Sequence, residues 1–106
     1  MNQIAKVVTV TLNPAIDQTV NIPNFKAGQV NRVEREQLDA GGKGVNVASV
    51  LADYGFSVAA TGFLGKENIS IFEQLFTRKQ IDDQFVRING RTRTGIKIID
   101  EIYQET

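Results

Sequence analysis

The sequence predicts an α/β domain in which strands and helices alternate along the chain. Three observations carry this reading. A β-branched run, Val7-Val8-Thr9-Val10-Thr11-Leu12, is stopped by Asn13-Pro14, the pattern of a buried and plausibly parallel strand with a turn at its end. A glycine cluster, Ala40-Gly41-Gly42-Lys43-Gly44, leads into an apolar segment that closes at Gly55, which reads as a helix. A short core strand and a one-sided helix then follow, so strand and helix alternate as in a βαβ sheet.

Each element has its own signal. Val7–Leu12 is the first core strand. Thr19-Val20-Asn21-Ile22, ahead of Pro23, alternates polar and apolar and suits a half-exposed strand, because successive side chains point to opposite faces. Gly28 to Asp39 is charged and weakly periodic, and reads as an exposed strand or loop. Val45 to Tyr54 carries apolar residues at 47, 48, 50, 51, 52 and 54. They wrap most of the helix, which predicts burial on a sheet, and Gly55 is its C-terminal cap. Val58-Ala59-Ala60-Thr61-Gly62 is a second core strand. Glu67 and Asn68 are expected to open a helix whose packed face is Ile71, Phe72, Leu75 and Phe76. Phe85-Val86 marks a third short strand, and Ile96-Lys97-Ile98 a further half-exposed one. The alternating strands at 18–22 and 95–99 fit no fully covered sheet and predict a separate small sheet or lid.

Composition removes several function classes. The chain has 106 residues, 12 Lys+Arg against 12 Asp+Glu, and neither His nor Cys. Balanced, interspersed charge speaks against a nucleic-acid stripe or an anionic membrane surface. Without Cys there is no disulfide framework, and without His no Ser-His-Asp triad or HExxH zinc site. Acid–base chemistry falls to Asp, Glu, Lys or Tyr. The apolar run at 7–12 is far short of the roughly 20 residues that span a bilayer, and no targeting segment is visible. The expected setting is cytoplasmic, without membrane or nucleic-acid partners.

The glycine cluster is the first candidate site. Backbone N–H groups and the helix dipole converge there, glycine lets a ligand approach, and Lys43 adds a positive charge, a combination suited to a phosphate or an oxygen-rich ligand. Two nucleotide motifs fail: a Walker loop would need Gly where Gln37 stands and Ser/Thr where Gly44 stands, and a dinucleotide fingerprint would need Gly at Val47. A tight turn onto a helix that binds nothing accounts for the cluster equally well. Asp17 lies just past the end of the first strand, where ligands of open α/β sheets sit. Its carboxylate can accept hydrogen bonds from sugar hydroxyls, although position alone favours a turn-stabilising role. Arg93, in Arg91-Thr92-Arg93-Thr94, can hold a phosphate bidentately or simply be a solvated charge on a turn. Asn46 can face a ligand or help cap the helix start. Lys97 reads as the exposed half of an alternating strand.

Together, Thr11-Leu12-Asn13-Pro14-Ala15-Ile16-Asp17, Gly41-Gly42-Lys43-Gly44-Val45-Asn46-Val47-Ala48, Gly55 and Thr61-Gly62-Phe63-Leu64-Gly65 resemble the N-terminal signature of the ribokinase-like (PfkB) sugar kinases. Gly62 to Asn68 and Gly90 to Ile98 point to the bacterial branch that acts on fructose 1-phosphate, with the tagatose 6-phosphate enzymes as nearest rival. The resemblance implies part of a three-layer sandwich with a small β-sheet lid. Core elements would lie at about 4–16 and 40–90, and lid strands at about 17–39 and 91–106. It implies ATP and Mg2+, transfer of phosphate to fructose 1-phosphate giving fructose 1,6-bisphosphate, and a homodimer formed through the lid. By the same analogy Asp17 binds sugar hydroxyls, Gly41, Gly42 and Asn46 line the sugar site, Lys43 meets the sugar-phosphate region, and Arg93 reaches the substrate phosphate from the lid. The family's Gly-Ala-Gly-Asp segment, with its catalytic base, is not among these residues. The implied chain is therefore an N-terminal third, inactive alone, with the base beyond Thr106 and no metal ligand of its own. A tagatose-6-phosphate or 6-phosphofructokinase, and a non-catalytic sugar-phosphate-binding or dimerisation module, are the alternatives.

Overall fold

The computed structural model describes residues 6–100. Met1–Ala5 and the end of the expected lid, residues 101–106, lie outside the described residues. The elements run β1 (Lys6–Thr11), β2 (Ala15–Asn21), β3 (Arg35–Gly41), α1 (Lys43–Asp53), β4 (Ser57–Gly65), a 3-10 turn (Lys66–Asn68), α2 (Ser70–Lys79), β5 (Asp82–Asp83), β6 (Val86–Ile88) and β7 (Thr94–Ile99). The α/β class read from the sequence is what is found, and the two polar-alternating strands do form a sheet of their own.

The first sheet is parallel. β1 pairs with β4, from Lys6 opposite Ser57 to Thr11 opposite Gly62. On its other edge β4 is followed by β5 and then β6. The third strand expected at Phe85-Val86 is thus a broken one. Between its halves Gln84 N–H bonds the Ala60 carbonyl at 2.9 Å, and Phe85 turns inward to stack on Phe76, ring centres 5.4 Å apart. Arg87 clamps this break: its guanidinium donates to the Asp83 carboxylate, to the Phe85 carbonyl and to Glu73 on α2.

Both helices cover the same face of this sheet. Val45 and Ala48 of α1 and Phe72, Leu75 and Phe76 of α2 pack with Val58, Ala60 and Leu64 of β4 in one core cluster. The end of α1 is a double hydrogen-bonded turn, with Gly55 N–H on the Ala52 carbonyl and Phe56 N–H on that of Leu51, as the glycine cap predicts. Two burial expectations are corrected. β1 is covered on one face only, leaving Val8 and Val10 each 59% exposed. Likewise α1 buries only Val45 and Ala48, while Val47, Val50 and Tyr54 stay exposed. A strand or helix that is apolar all round requires cover on every side, and among the described residues only one side has it. The second helix also starts later than expected, at Ser70, because a separate 3-10 turn takes up Lys66–Asn68.

The second sheet has order β3-β2-β7, with β2 antiparallel to β3 and parallel to β7. The 28–39 segment splits into a loop and strand β3. The loop is pinned by Asn31, whose amide takes the Lys26 N–H and donates to the Lys26 and Gln29 carbonyls. Register gives the sheet two unlike faces. Asp17, Thr19, Asp39, Gln37 and Lys97 share one; Gln18, Val20, Leu38, Ile96 and Ile98 share the other.

Candidate functional site

The site forms where the two sheets meet α1. Asn13-Pro14 turns the chain out of β1 into β2, and Gly41-Gly42 turns it from β3 into α1. Gly42 takes φ +106°, a conformation that side chains disfavour, and a Cβ there would lie 2.9 Å from Thr11 Cγ2 and 3.1 Å from Pro14 Cα. The turn is therefore wedged against the end of β1. Its consequence is an uncapped helix: no side chain bonds the first turn of α1, so its orphan N–H groups and positive dipole end are open to a ligand. They border a cleft of about 490 Å³ lined by Thr11, Asn13, Gly42, Lys43, Gly44, Asn46 and Arg93.

Of the residues named from the sequence, the fold brings Gly42, Lys43, Asn46 and Arg93 to this one cleft. Asp17 and Gly41 do not line it but adjoin it. The Asp17 carboxylate leans over Gly41, where a Cβ would fall 2.3 Å from its Oδ2, and the strand partner on its other side is Gly95. Glycines thus make room for this carboxylate. Among the described residues Asp17 and Lys43 form no hydrogen bond or ion pair through their side chains. Arg91 lies away from the cleft, against a separate hollow between the second sheet and α2.

Arg93 is held at both ends. Its carbonyl accepts the Ile16 N–H at 2.8 Å, and its Nε donates to Asn13 Oδ1 at 3.0 Å. The preceding Thr92 is clamped by Asn68, whose Nδ2 donates to the Thr92 carbonyl and whose Oδ1 accepts the Thr92 N–H, both at 2.9 Å. The Thr92 hydroxyl, in turn, accepts the Gly65 N–H at 3.0 Å. Sequence reasoning missed Asn13, Asn68 and Thr92. The available signal was weak: an Asn at a strand's carboxyl end and an Asn beside a helix start read as local turn and cap residues.

This arrangement puts separate positive charge and free N–H donors at one end of a cleft and an unpaired carboxylate beside it, as an anionic, hydroxyl-bearing ligand requires. Comparison with known proteins gives the family. The chain is 49% identical over 100 residues to the 1-phosphofructokinase of Rhodobacter capsulatus, covering 94% of this chain and 32% of that protein. It is 45% identical over 96 residues to that of Escherichia coli K12, covering 91% and 31%. A Thermotoga maritima structure described as a possible 1-phosphofructokinase superposes with a TM-score of 0.77 at 38% identity, over 95% of this chain and 33% of that one. Phosphofructokinase-2 of Escherichia coli in complex with substrates and products shares the fold, with a TM-score of 0.84 at 24% identity over 95% of this chain and 33% of that one. The chain thus spans about a third of the length of these relatives. The model of the pfkB family carbohydrate kinases matches residues 4–105, nearly the whole sequence, and with the ribokinase-like α/β arrangement and the glycine-walled cleft in place, the chain belongs to that family.

Proposed function

We propose that this chain supplies the sugar-phosphate-binding and lid part of a kinase that transfers a phosphoryl group from ATP to fructose 1-phosphate, giving fructose 1,6-bisphosphate. The observation that carries the reading is the convergence of Lys43, Arg93 and the uncapped start of α1 on one cleft, with the unpaired Asp17 carboxylate alongside. Phosphoryl transfer depends mainly on positioning and charge neutralisation. In this reading Lys43, Arg93 and the Gly42–Asn46 turn hold the substrate's phosphate end, and Asp17 accepts its hydroxyls over Gly41. The similarity to 1-phosphofructokinases at 45–49% identity supports the choice of sugar.

The second sheet acts as the lid, strapped to the core through Thr92 and Arg93. Its apolar face exposes Leu38 on β3 and Ile96 and Ile98 on β7, and supports a homodimer closed lid to lid. ATP and its Mg2+ belong to the reaction. Among the described residues no group of three or more His, Cys, Asp or Glu could hold a metal ion. No helix among the described residues is long and apolar enough to cross a membrane; a kinase fed by ATP suits the cytoplasm.

The test is a product assay on the kinase that carries this chain, with fructose 1-phosphate, fructose 6-phosphate and tagatose 6-phosphate. Preferred turnover of fructose 1-phosphate is expected, with Lys43→Ala and Arg93→Ala each raising its KM by roughly tenfold, the loss of a charge-assisted phosphate contact. Preference for another sugar would reassign the substrate; unchanged KM in both variants would refute the site. The 106-residue chain by itself is expected to turn over nothing.

A further inference from the structure

We infer that Asn13 is a positioning residue that aims the Arg93 guanidinium into the cleft without spending its charge. This rests on the reading of Arg93 as a phosphate contact. The two residues are 80 positions apart, one at the carboxyl end of β1 and the other leading into β7. Arg93 Nε donates to Asn13 Oδ1 at 3.0 Å, and Nη2 approaches the Asn13 carbonyl at 3.5 Å. Both side chains line the same cleft as Gly42, Lys43 and Gly44. An Asn at a turn ordinarily bonds its own backbone nearby. Here Arg93 is the side chain's hydrogen-bond partner among the described residues.

The chemistry explains why an amide suits this place. An exposed arginine loses rotamer freedom when a ligand fixes it. Holding Nε and one Nη2 hydrogen in advance removes part of that loss and leaves Nη1 and the second Nη2 hydrogen for bidentate contact with a phosphate. A carboxylate would hold Nε as well, but it would neutralise the guanidinium and repel the anion. Asn13 offers the same acceptor uncharged. The Arg93 backbone is already fixed by Ile16 and by the Asn68–Thr92 clamp, so the side-chain tether is what remains to set the direction.

The experiment is a double-mutant cycle in the kinase that carries this chain, reading KM for fructose 1-phosphate, KM for ATP, kcat and the thermal midpoint. Asn13→Ala is expected to raise the sugar-phosphate KM about 3- to 10-fold, leaving ATP KM and kcat within about twofold, and to add less than about twofold in an Arg93→Ala background. Asn13→Asp keeps shape and acceptor, so it guards against a folding defect, and is expected to raise the same KM at least as much through its charge. If Arg93→Ala raises this KM while both Asn13 variants leave it unchanged, the inference fails and the site reading stands. An Asn13→Ala effect that persists undiminished without Arg93 also overturns it. If Arg93→Ala itself has no effect, the reading of Arg93 as a phosphate contact fails, and the inference with it.

Discussion

The Asp17 carboxylate occupies the space that a side chain on Gly41 would fill, a Cβ there coming within 2.3 Å of Asp17 Oδ2 and 3.2 Å of the Ala15 carbonyl. The cross-strand glycine is thus part of how the acidic group is presented. Because the nearest obstruction is the end of an exposed, flexible side chain, Gly41→Ala is expected to move Asp17 at little cost to stability, under about 1 kcal/mol, while raising the sugar-phosphate KM by about tenfold or more. Steady-state kinetics beside thermal melting checks it. An unchanged KM would show that Asp17 is not aimed at the substrate.

Gly44→Ala is expected to behave in the opposite way. Its Cβ would lie 2.2 Å from Thr11 Oγ1 and 2.8 Å from the Val10 carbonyl, and backbone cannot step aside as a carboxylate can. Overpacking of this kind costs about 1–3 kcal/mol or more, so urea denaturation should show a clear loss of stability, with α1 pushed off β1.

The Thr9 hydroxyl is buried and has no hydrogen-bond partner among the described residues. Replacing an unsatisfied buried hydroxyl with a methyl of similar shape removes a desolvation penalty. Thr9→Val is expected to stabilise the protein by about 1 kcal/mol, measured as a higher denaturation midpoint at unchanged slope.

The Asp83–Arg87 pair makes acid stability predictable. Burial alone would raise the Asp83 carboxyl, but the Arg87 hydrogen bond, the Phe85 N–H and the guanidinium charge hold it below its ordinary value of 3.8. A depressed folded-state value means that the contribution is complete above the unfolded value and is lost as pH falls through the folded one. Arg87→Met is expected to cost about 1–2 kcal/mol at pH 7, discounted because Arg87 is partly exposed. It should also flatten the fall in stability below about pH 4. Denaturation midpoints of both proteins between pH 2 and pH 7 test this; parallel curves would contradict it.

Ile96 stands 66% exposed on the apolar face of the second sheet. If that face joins two copies, Ile96→Lys should leave a monomer at micromolar concentration, visible by sedimentation velocity. A parent protein that sediments as a monomer would remove the dimer from the proposal.

What the sequence determined by itself was local. The β-branched run, the one-sided helix packed by Phe72, Leu75 and Phe76, the hydrogen-bonded cap at Gly55 and the glycine turn before α1 follow from backbone preference and side-chain period within a few residues, and all but that helix's start were legible without coordinates. So were the candidate residues Asp17, Gly42, Lys43, Asn46 and Arg93 as residue types suited to a phosphorylated ligand. The tertiary structure alone decided which of them meet. Only strand pairing sets β2 between β3 and β7, brings Arg93 to Asn13, moves Asn68 from a helix start to a clamp on Thr92, and leaves Asp17 beside the cleft and not in it. The physical reason is that periodicity states which faces can be buried but not what will cover them: register and contact between residues tens of positions apart are fixed by packing that no local window contains.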